Sequence, residues 1–424
     1  MDLSTISLHI EKVSLIRIDA LKHSIEDLAF FGGAPAFHHM LHVGHPNIGN
    51  RERLLEYIND LLDRRWLTND GPFVEELEQR IADMLGAKHC IAVCNGTIAL
   101  ELAIRAVGLA GEVIVPAFTF IATAHALEWQ GIHPVFCDID PGFYNIDPNR
   151  IEALITPRTT GIIGVHLWGR ACNVDALTAI AKKHKLKLLF DAAQAFGCSY
   201  QGRMIGNSGE AEVFSFHATK IFNTFEGGAV VTNNDRLASK IRLMRNFGFS
   251  DYDNVIHIGT NGKMSEVAAA MGLTGFESLE EFISDNYRNY KRYEGELAGI
   301  PGVKLSTYNE KEKCNYQYII LEIDEGVTRV TRDQMVEILH AENILARRYF
   351  YPGCHRMEPY HSQHPDAGLL LPETEKLSKR VLSLPTGSSI SPDETSKICQ
   401  IIRLVVDCGP EVARKLTDKY SSRT

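Results

Sequence analysis

The sequence lacks the features that mark membrane-spanning and nucleic-acid-binding proteins. Its 424 residues contain no run of about 18 apolar residues, so we expect no transmembrane helix and no membrane partner. They also contain no tandem repeat, no low-complexity tract and no long block of like charge. Acidic residues outnumber basic ones by 53 to 44, and the resulting net charge of −9 argues against nucleic acid as a main partner.

Cysteine is present without the spacing of a metal or redox motif. The nine cysteines are irregularly placed, and the closest pair, Cys90 and Cys94, matches no common metal-binding pattern. We therefore predict no metal site and expect reduced, mostly buried thiols. Charged residues near the start, such as Glu11 and Arg17, would interrupt the apolar core of a signal peptide. Together these features predict a cytoplasmic protein.

The chain is too long for one compact core and predicts two domains after an N-terminal arm. We expect residues 1–50 to form the N-terminal arm, residues 51–280 a large domain, and residues 281–424 a small α+β domain. From Cys90 onward, short apolar runs alternate with helical patterns over about 140 residues, which predicts an α/β fold with a largely parallel sheet covered by helices. The strand candidates are Ile91–Cys94, Val113–Val115, Pro134–Cys137, Gly161–Val165, Lys187–Phe190, Val213–Phe216 and Ala229–Thr232.

Two of these strands end next to residues whose side chains could take part in catalysis. Asp191 follows the apolar run 186–190, and Lys220 lies shortly after the run 213–216, before the glycines Gly227 and Gly228. An amine and a carboxylate at neighbouring strand ends are what pyridoxal phosphate (PLP) requires, one for a Schiff base and one for the ring nitrogen. For that role the pKa of Lys220 must fall from about 10.4 toward roughly 7–8. The alternatives are that Asp191 caps a helix beginning at Ala192, and that Lys220 is an exposed surface charge.

A phosphate site is indicated where the first strand of the predicted sheet ends. The segment Asn95-Gly96-Thr97 opens a helix predicted over Ile98–Val107. The free N–H groups and the dipole of a helix start attract a phosphate dianion. Gly96 would allow close approach and the Thr97 hydroxyl could donate a hydrogen bond. Asn-Gly as a plain turn, or Thr97 as a helix N-cap, explains the same residues.

Taken together, these segments resemble one family. The chain from about residue 30 to 390 resembles the DegT/DnrJ/EryC1/StrS family of PLP-dependent sugar aminotransferases, of the fold-type-I, aspartate-aminotransferase-like class. The motifs that carry the resemblance are residues 94–97, 116–120, 191–195, 215–220, 226–230 and 259–266.

The resemblance implies a role for each matching residue. Lys220 would carry PLP as a Schiff base, with pyridoxamine phosphate as the intermediate form of the cofactor, and Asp191 would pair with the ring nitrogen. The phosphate would be held by Gly96, Thr97 and Ser215. The remaining roles are a ring-stacking Phe120, a Gln194 on the ring hydroxyl, and an Asn261 that reaches the cofactor of the neighbouring subunit in a homodimer. Core packing for Phe120, a capping amide for Gln194 and a turn for Asn261 remain open.

Further segments resemble the desosamine-pathway subgroup that aminates C4 of dTDP-4-keto-6-deoxyglucose. They are residues 66–72, 165–170 and 351–355. The resemblance implies transfer of an amino group from glutamate to the C4 keto carbon of a nucleotide-linked 6-deoxy-ketosugar. His166, Trp168 and His355 could line its cleft or be buried structural residues. Arg347, Arg348 and Lys263 are candidates for the diphosphate, or ordinary surface charges.

Other activities of such a fold are also open. A 3-keto sugar or a UDP- or GDP-linked sugar could be the substrate. PLP-dependent sugar dehydratases commonly carry histidine in place of the lysine, so Lys220 favours transamination. A non-catalytic regulator would be expected to lose Lys220 or Asp191, or to carry a DNA-binding domain, for which residues 1–50 are too short and too acidic.

Overall fold

A computed structural model describes residues 22–421 of the chain. The strands within this range are β1 (Leu41–His42), β2 (His89–Val93), β3 (Glu112–Pro116), β4 (His133–Cys137), β5 (Thr159–Val165), β6 (Lys187–Asp191), β7 (Ser199–Tyr200), β8 (Arg203–Met204), β9 (Ala211–Ser215), β10 (Gly228–Thr232), β11 (Phe249–Asp251), β12 (Asn254–Val255), β13 (Val303–Leu305), β14 (Ile319–Ile323), β15 (Ile344–Leu345) and β16 (Val381–Leu384).

The α-helices of the same range are α1 (Arg51–Arg64), α2 (Pro72–Leu85), α3 (Gly96–Val107), α4 (Ala122–Glu128), α5 (Pro148–Ile151), α6 (Val174–His184), α7 (Asp235–Met244), α8 (Glu266–Glu277), α9 (Leu279–Leu297), α10 (Glu325–Thr328), α11 (Arg332–Ala341), α12 (Tyr360–Gln363), α13 (Pro372–Ser378), α14 (Pro392–Asp407) and α15 (Gly409–Ser421). Short 3-10 segments lie at Ile25–Asp27, Ala29–Phe31, Glu152–Leu154, Leu167–Gly169, Cys354–Arg356 and Ala367–Leu370. No helix in the described part of the chain is long and apolar enough to cross a membrane.

The central element is a seven-stranded sheet in the order β2-β10-β9-β6-β5-β3-β4. Every strand is parallel to the others except β10, which is antiparallel to both of its neighbours. The predicted α/β fold is therefore confirmed. All seven predicted strands are present, with ends within two residues of the prediction. Most begin earlier than predicted because main-chain pairing extends beyond the apolar side chains, whereas β2 and β9 end one residue before the predicted Cys94 and Phe216.

Alternating side chains of the sheet enter two different cores. Val213 and Val230 pack with α3 and α7 on one face. Phe214 and Ala229 point to the other face, where they pack with α2 and α8. Both faces are covered, which explains why the strands contain nearly continuous apolar runs. The sheet is thus the rigid middle layer of a helix–sheet–helix sandwich.

The C-terminal part contains a second, antiparallel sheet in the order β13-β14-β16. The helices α9, α11 and α14 contribute to the core on it. The sequence of residues 316–323 predicts a strand that starts at Tyr316, but β14 begins only at Ile319. The reason is that Tyr316 has a left-handed backbone, with φ of 50°, which is incompatible with a strand.

The first described residues belong to the same core as the C-terminal part. Ile25, Leu28 and Phe37 are buried among its apolar side chains. The buried carboxylate of Glu342 accepts hydrogen bonds from the main-chain N–H groups of Ala29 and Ala36. β1 pairs in parallel with β15. The first part of the predicted N-terminal arm, residues 1–21, lies outside the described residues.

Candidate active site

The carboxyl ends of parallel strands bring the predicted residues to one edge of the sheet. Asp191 is the last residue of β6, and its register partner on the neighbouring β9 is Val213. Ser215 ends β9, and Lys220 follows in the irregular segment that connects β9 to β10. This is the edge at which α/β proteins place their ligands.

Asp191 is held as a buried acceptor. Its side chain is buried, with 5% of its surface exposed. The Thr123 hydroxyl donates to Oδ2 at 2.8 Å, and the main-chain N–H of Ala193 donates to Oδ1 at 3.1 Å. Burial raises the pKa of Asp191, and the bond from Thr123 opposes that rise. The alternative that Asp191 caps a helix is wrong, because turns follow it in place of a helix.

Lys220 is half-buried and has an unusually acidic ammonium group. Burial lowers the pKa of Lys220 from its ordinary value to about 8, while the charge of Asp191 acts in the opposite direction. This value matches the requirement derived from the sequence. The partial burial of the side chain contradicts the alternative of an exposed surface lysine. An amine with this pKa is partly neutral near physiological pH and is therefore nucleophilic.

The start of α3 forms an open cradle beside the end of β9. Asn95 is the N-cap, since its Oδ1 accepts from the N–H of Ile98 at 2.8 Å. A Cβ atom added to Gly96 would lie 2.8 Å from the Cβ of Ser215, and one added to Gly228 would lie 2.8 Å from the Gly96 nitrogen. These glycines are needed for the close approach. Thr97 lies inside the helix and is exposed, so the N-cap alternative for it is wrong.

The other predicted residues lie around this edge. Phe120 is 57% exposed, so its ring is available to a ligand. The Oε1 of buried Gln194 accepts from the main-chain N–H of Trp168 at 2.7 Å, which fixes the orientation of the amide. Asn261 is exposed, and its main chain forms an antiparallel bridge with Asn246.

The arrangement fits PLP on structural grounds. Three groups meet at one edge of the sheet. They are a half-buried amine of low pKa, a buried carboxylate, and a helix N-terminus whose close approach to the neighbouring strand requires glycine. The neutral form of the amine would attack the aldehyde carbon of the cofactor, the carboxylate would pair with the protonated ring nitrogen, and the helix start would attract the phosphate.

A cleft of about 520 Å³ adjoins this edge, between the segment after β3 and the C-terminal part of the chain. Its walls include Phe120, Arg347, Arg348, Tyr349 and Tyr351. Both arginines are exposed. They lie over tyrosine rings, Arg347 over Tyr349 at 5.5 Å and Arg348 over Tyr351 at 4.9 Å. The cleft therefore combines two arginines and aromatic surface with the carboxylates of Asp333 and Glu337, and Arg348 donates to Asp333 at 3.1 Å.

The cleft interpretation is wrong for His166, Trp168 and His355, all of which are buried. The ring of His166 contacts Glu212 at 3.2 Å and accepts from the N–H of Cys172. His355 contacts Glu375 at 2.8 Å. His166, Trp168 and His355 are therefore structural residues.

Lys263, the third candidate for a diphosphate, donates to Asn246 at 2.9 Å and lies over the ring of Phe247, away from the arginines of the cleft wall.

A sequence profile of the DegT/DnrJ/EryC1/StrS aminotransferase family matches residues 49–403. The chain belongs to this family. It is 37% identical over 361 residues to the dTDP-4-amino-4,6-dideoxy-D-glucose transaminase of Shigella dysenteriae, covering 85% of this chain and 98% of the relative. It is 36% identical over 366 residues to the GDP-perosamine synthase of Caulobacter vibrioides, covering 84% and 95%.

A solved structure agrees with the sequence relatives. The crystal structure of DesI in the presence of its TDP-sugar product superposes with a TM-score of 0.89 at 49% identity, covering 94% of this chain and all of DesI. The family and fold predicted from the sequence are confirmed, and the chain is an aminotransferase.

Thr123 was not identified from the sequence, although it touches the central carboxylate. Its hydroxyl hydrogen is engaged by Asp191, so the Thr119 hydroxyl, at 3.2 Å, must donate to Thr123. A chain of two hydroxyls therefore ends on Asp191. A threonine in a short helix has no distinguishing pattern, and only the fold brings it to a residue 68 positions away.

Replacing Thr123 tests this contact. Thr123→Val keeps the shape and removes the donor, so we expect kcat/KM to fall by about 10- to 100-fold, the range of a lost hydrogen bond to a charged group. Thr123→Ser should keep most of the activity. Steady-state kinetics with thermal unfolding of both variants is the measurement. Equal activity of Thr123→Val and wild type would show that the bond is dispensable.

Proposed function

We propose that this chain is a PLP-dependent nucleotide-sugar aminotransferase that aminates the C4 keto carbon of dTDP-4-keto-6-deoxyglucose, with glutamate as donor, to give dTDP-4-amino-4,6-dideoxyglucose. The observation that carries the chemistry is the pairing of a low-pKa Lys220 with a buried Asp191 at the carboxyl edge of the sheet. The sugar is supported by the names of the Shigella relative and by the TDP-sugar product of DesI.

Different residues at the carboxyl edge of the sheet would bind different parts of the cofactor. Lys220 would bind it covalently, Asp191 would hold a proton on the ring nitrogen, and the start of α3 with Ser215 would hold the phosphate. Phe120 would cover one ring face and Gln194 would face the ring hydroxyl. When bound, PLP supplies the electron sink that lets an amine and a ketone exchange their nitrogen and oxygen.

Lys220 would also move protons. As a free amine with a pKa of about 8, its Nζ could both take up and return a proton near neutral pH. This is the residue type and protonation range that a transamination needs. A dehydratase would not need to return the proton to the sugar carbon.

The cleft beside Phe120 supports binding of a sugar nucleotide. Arg347 and Arg348 project from its wall, and arginine is well suited to phosphate because it presents several donors in one plane. We assign the diphosphate to these two residues. Lys263 is a weaker candidate because it does not line this cleft. Arg348 also has a partner, the carboxylate of Asp333 at 3.1 Å, which a diphosphate would have to displace.

Exposed apolar residues support a homodimer. Of the leucines that recur at helical spacing along α1, only Leu61 is buried, while Leu55 and Leu62 are exposed. The hairpin formed by β11 and β12 and its flanks also expose Tyr252 and Ile258. Apolar surface of this extent commonly marks a protein interface. Asn261 is exposed and lies shortly after β12, close in sequence to Ile258, which supports the proposal that it serves the site of a second subunit.

The state of the thiols supports a cytoplasmic location. All nine cysteines lie in the described part of the chain and all are free. Most are buried, as expected of thiols that persist in a reducing compartment.

The substrate is tested by offering the purified protein a panel of sugar nucleotides with glutamate and following the products by mass. We expect the aminosugar from dTDP-4-keto-6-deoxyglucose at a rate at least about tenfold above GDP- and UDP-linked 4-keto sugars or 3-keto sugars. The GDP-linked sugar is a real alternative, because the Caulobacter relative is a GDP-perosamine synthase. Preferential amination of that sugar, or of a 3-keto sugar, would overturn the proposed substrate and leave the reaction class intact.

A further inference from the structure

The segment that carries Lys220 has no regular secondary structure of its own. Residues 216–227 connect β9 to β10 through turns, and the main-chain N–H of Lys220 donates to the carbonyl of His217 at 2.9 Å. A reactive amine on an irregular segment needs support from elsewhere, because side-chain position follows main-chain position. That support comes from hydrogen bonds to the main-chain carbonyl groups on either side of Lys220.

Two side-chain amides hold these carbonyls. The Nε2 of Gln317 donates to the carbonyl of Thr219 at 2.6 Å. The Nδ2 of Asn47 donates to the carbonyl of Ile221 at 3.0 Å. Asn47 precedes α1 and Gln317 precedes β14, so both lie far from Lys220 in sequence. Together they fix the main chain immediately before and immediately after the lysine.

Asn47 is itself fixed from two directions. It is 4% exposed, and its Oδ1 accepts from the Ser388 hydroxyl at 2.9 Å. Its main-chain carbonyl accepts from the Nδ2 of Asn223 at 2.8 Å. Asn223 belongs to the segment that carries Lys220, so this bond also connects Asn47 to that segment. Its neighbour Gly44, with φ of 75°, lies so close to Thr219 that an added Cβ would be 2.9 Å from the Thr219 Cβ. The amide therefore has one orientation.

Gln317 is connected to the ring-binding side of the site. Its main-chain N–H donates to Oδ1 of buried Asn315 at 3.2 Å. The Nδ2 of Asn315 donates in turn to the carbonyls of Gln194 and Phe196, at 3.0 and 3.1 Å. One short segment thus holds both the lysine loop and the loop after Asp191.

We propose that Asn47 and Gln317 are positioning residues that set the location of the Lys220 amine by clamping the main chain on its two sides. The inference rests on the proposed function, in which Lys220 is the reactive amine. Neither amide needs to touch the substrate or the cofactor. Their contribution is to keep the amine in its buried position near Asp191, where it loses its proton near neutral pH.

The test measures Lys220 in the cofactor-free protein. Reductive methylation with formaldehyde and cyanoborohydride, quantified on the Lys220 peptide by mass spectrometry across a pH series, reports the protonation midpoint of this one amine. The variants are Gln317→Met and Asn47→Leu, which keep approximate size and remove the donor. The matched control is Gln79→Met, an exposed glutamine on α2.

We expect the wild-type and Gln79→Met midpoints near pH 8 and a rise of about one pH unit in each clamp variant, as the loosened amine becomes hydrated. A purely structural role would lower the unfolding temperature and leave the midpoint unchanged. Folded clamp variants with the wild-type midpoint would therefore overturn the proposal.

A milder variant covers the case in which Asn47→Leu does not fold. Ser388→Ala removes only the hydroxyl that holds the Asn47 amide, and a smaller rise of the midpoint is expected. An unchanged midpoint in Ser388→Ala and Gln317→Met would contradict the clamp. Borohydride trapping of PLP on wild-type Lys220 is measured in parallel. Absence of trapping would count against the proposed function, whereas the methylation profile decides the clamp independently.

Discussion

Lys220→Ala is expected to lower the rate of aminosugar formation by about 10⁴-fold, the upper end of what a single proton-transfer group contributes. The amine at this position is assigned both the attachment of the cofactor and the return of the proton, and alanine can do neither. Burial lowers the pKa of Lys220 to about 8, so the amine that is removed is the one suited to both tasks. The measurement is the initial rate with dTDP-4-keto-6-deoxyglucose and glutamate.

The control for this variant is Lys182→Ala, which removes an exposed lysine on α6. It should retain wild-type activity and the same unfolding temperature. A Lys220→Ala protein that still converts the ketosugar at more than a few per cent of the wild-type rate would show that another group carries the proton. The pH dependence gives a second criterion, because wild-type activity that needs the neutral amine should rise through pH 8.

Asp191→Asn is expected to reduce kcat/KM by about 10²- to 10³-fold, the cost of removing one preorganised electrostatic partner. The neutral amide cannot hold a proton on the ring nitrogen of the cofactor. The fold should survive, because the Thr123 hydroxyl, which donates to Oδ2 in the wild type, can accept from an amide instead. Activity is measured together with the unfolding temperature to separate the two effects.

The matched substitution is Asp175→Asn, at the exposed start of α6, where a loss of charge should leave kcat/KM unchanged. Asp191→Asn with the wild-type kcat/KM would contradict the assignment of the ring-nitrogen partner. A variant that retains activity only below the wild-type pH optimum would support it, since external protons would then replace the carboxylate.

Much of the fold was predictable because strands buried on both faces carry continuous apolar runs. The run before Asp191 predicts β6. The helical pattern of residues 174–184 predicts a helix with the ends that α6 has, Val174 and His184. The physical reason for those ends is local: Asn173 caps the start and Lys185 adopts a left-handed backbone at the end. Features set by neighbouring residues in the chain are readable from the sequence.

The contacts that orient the site were not predictable in the same way. Thr123 meets Asp191 across 68 positions, and Asn47 meets Ile221 across 174. Hydrogen bonds between distant polar residues leave no periodic pattern. Motif residues can also mislead, as His166 shows, because its buried contact with Glu212 serves the fold. The sequence therefore predicts candidate reactive groups, whereas the residues that hydrogen-bond to them and to their main chain are found only in the structure.

The most direct test of the account is the identity of the lysine that binds PLP. The purified protein is incubated with PLP, reduced with borohydride and digested, and the modified peptide is identified by mass spectrometry. The account predicts a yellow protein with a single phosphopyridoxyl group on Lys220. Modification of a different lysine, or no stable adduct in folded protein, would contradict it.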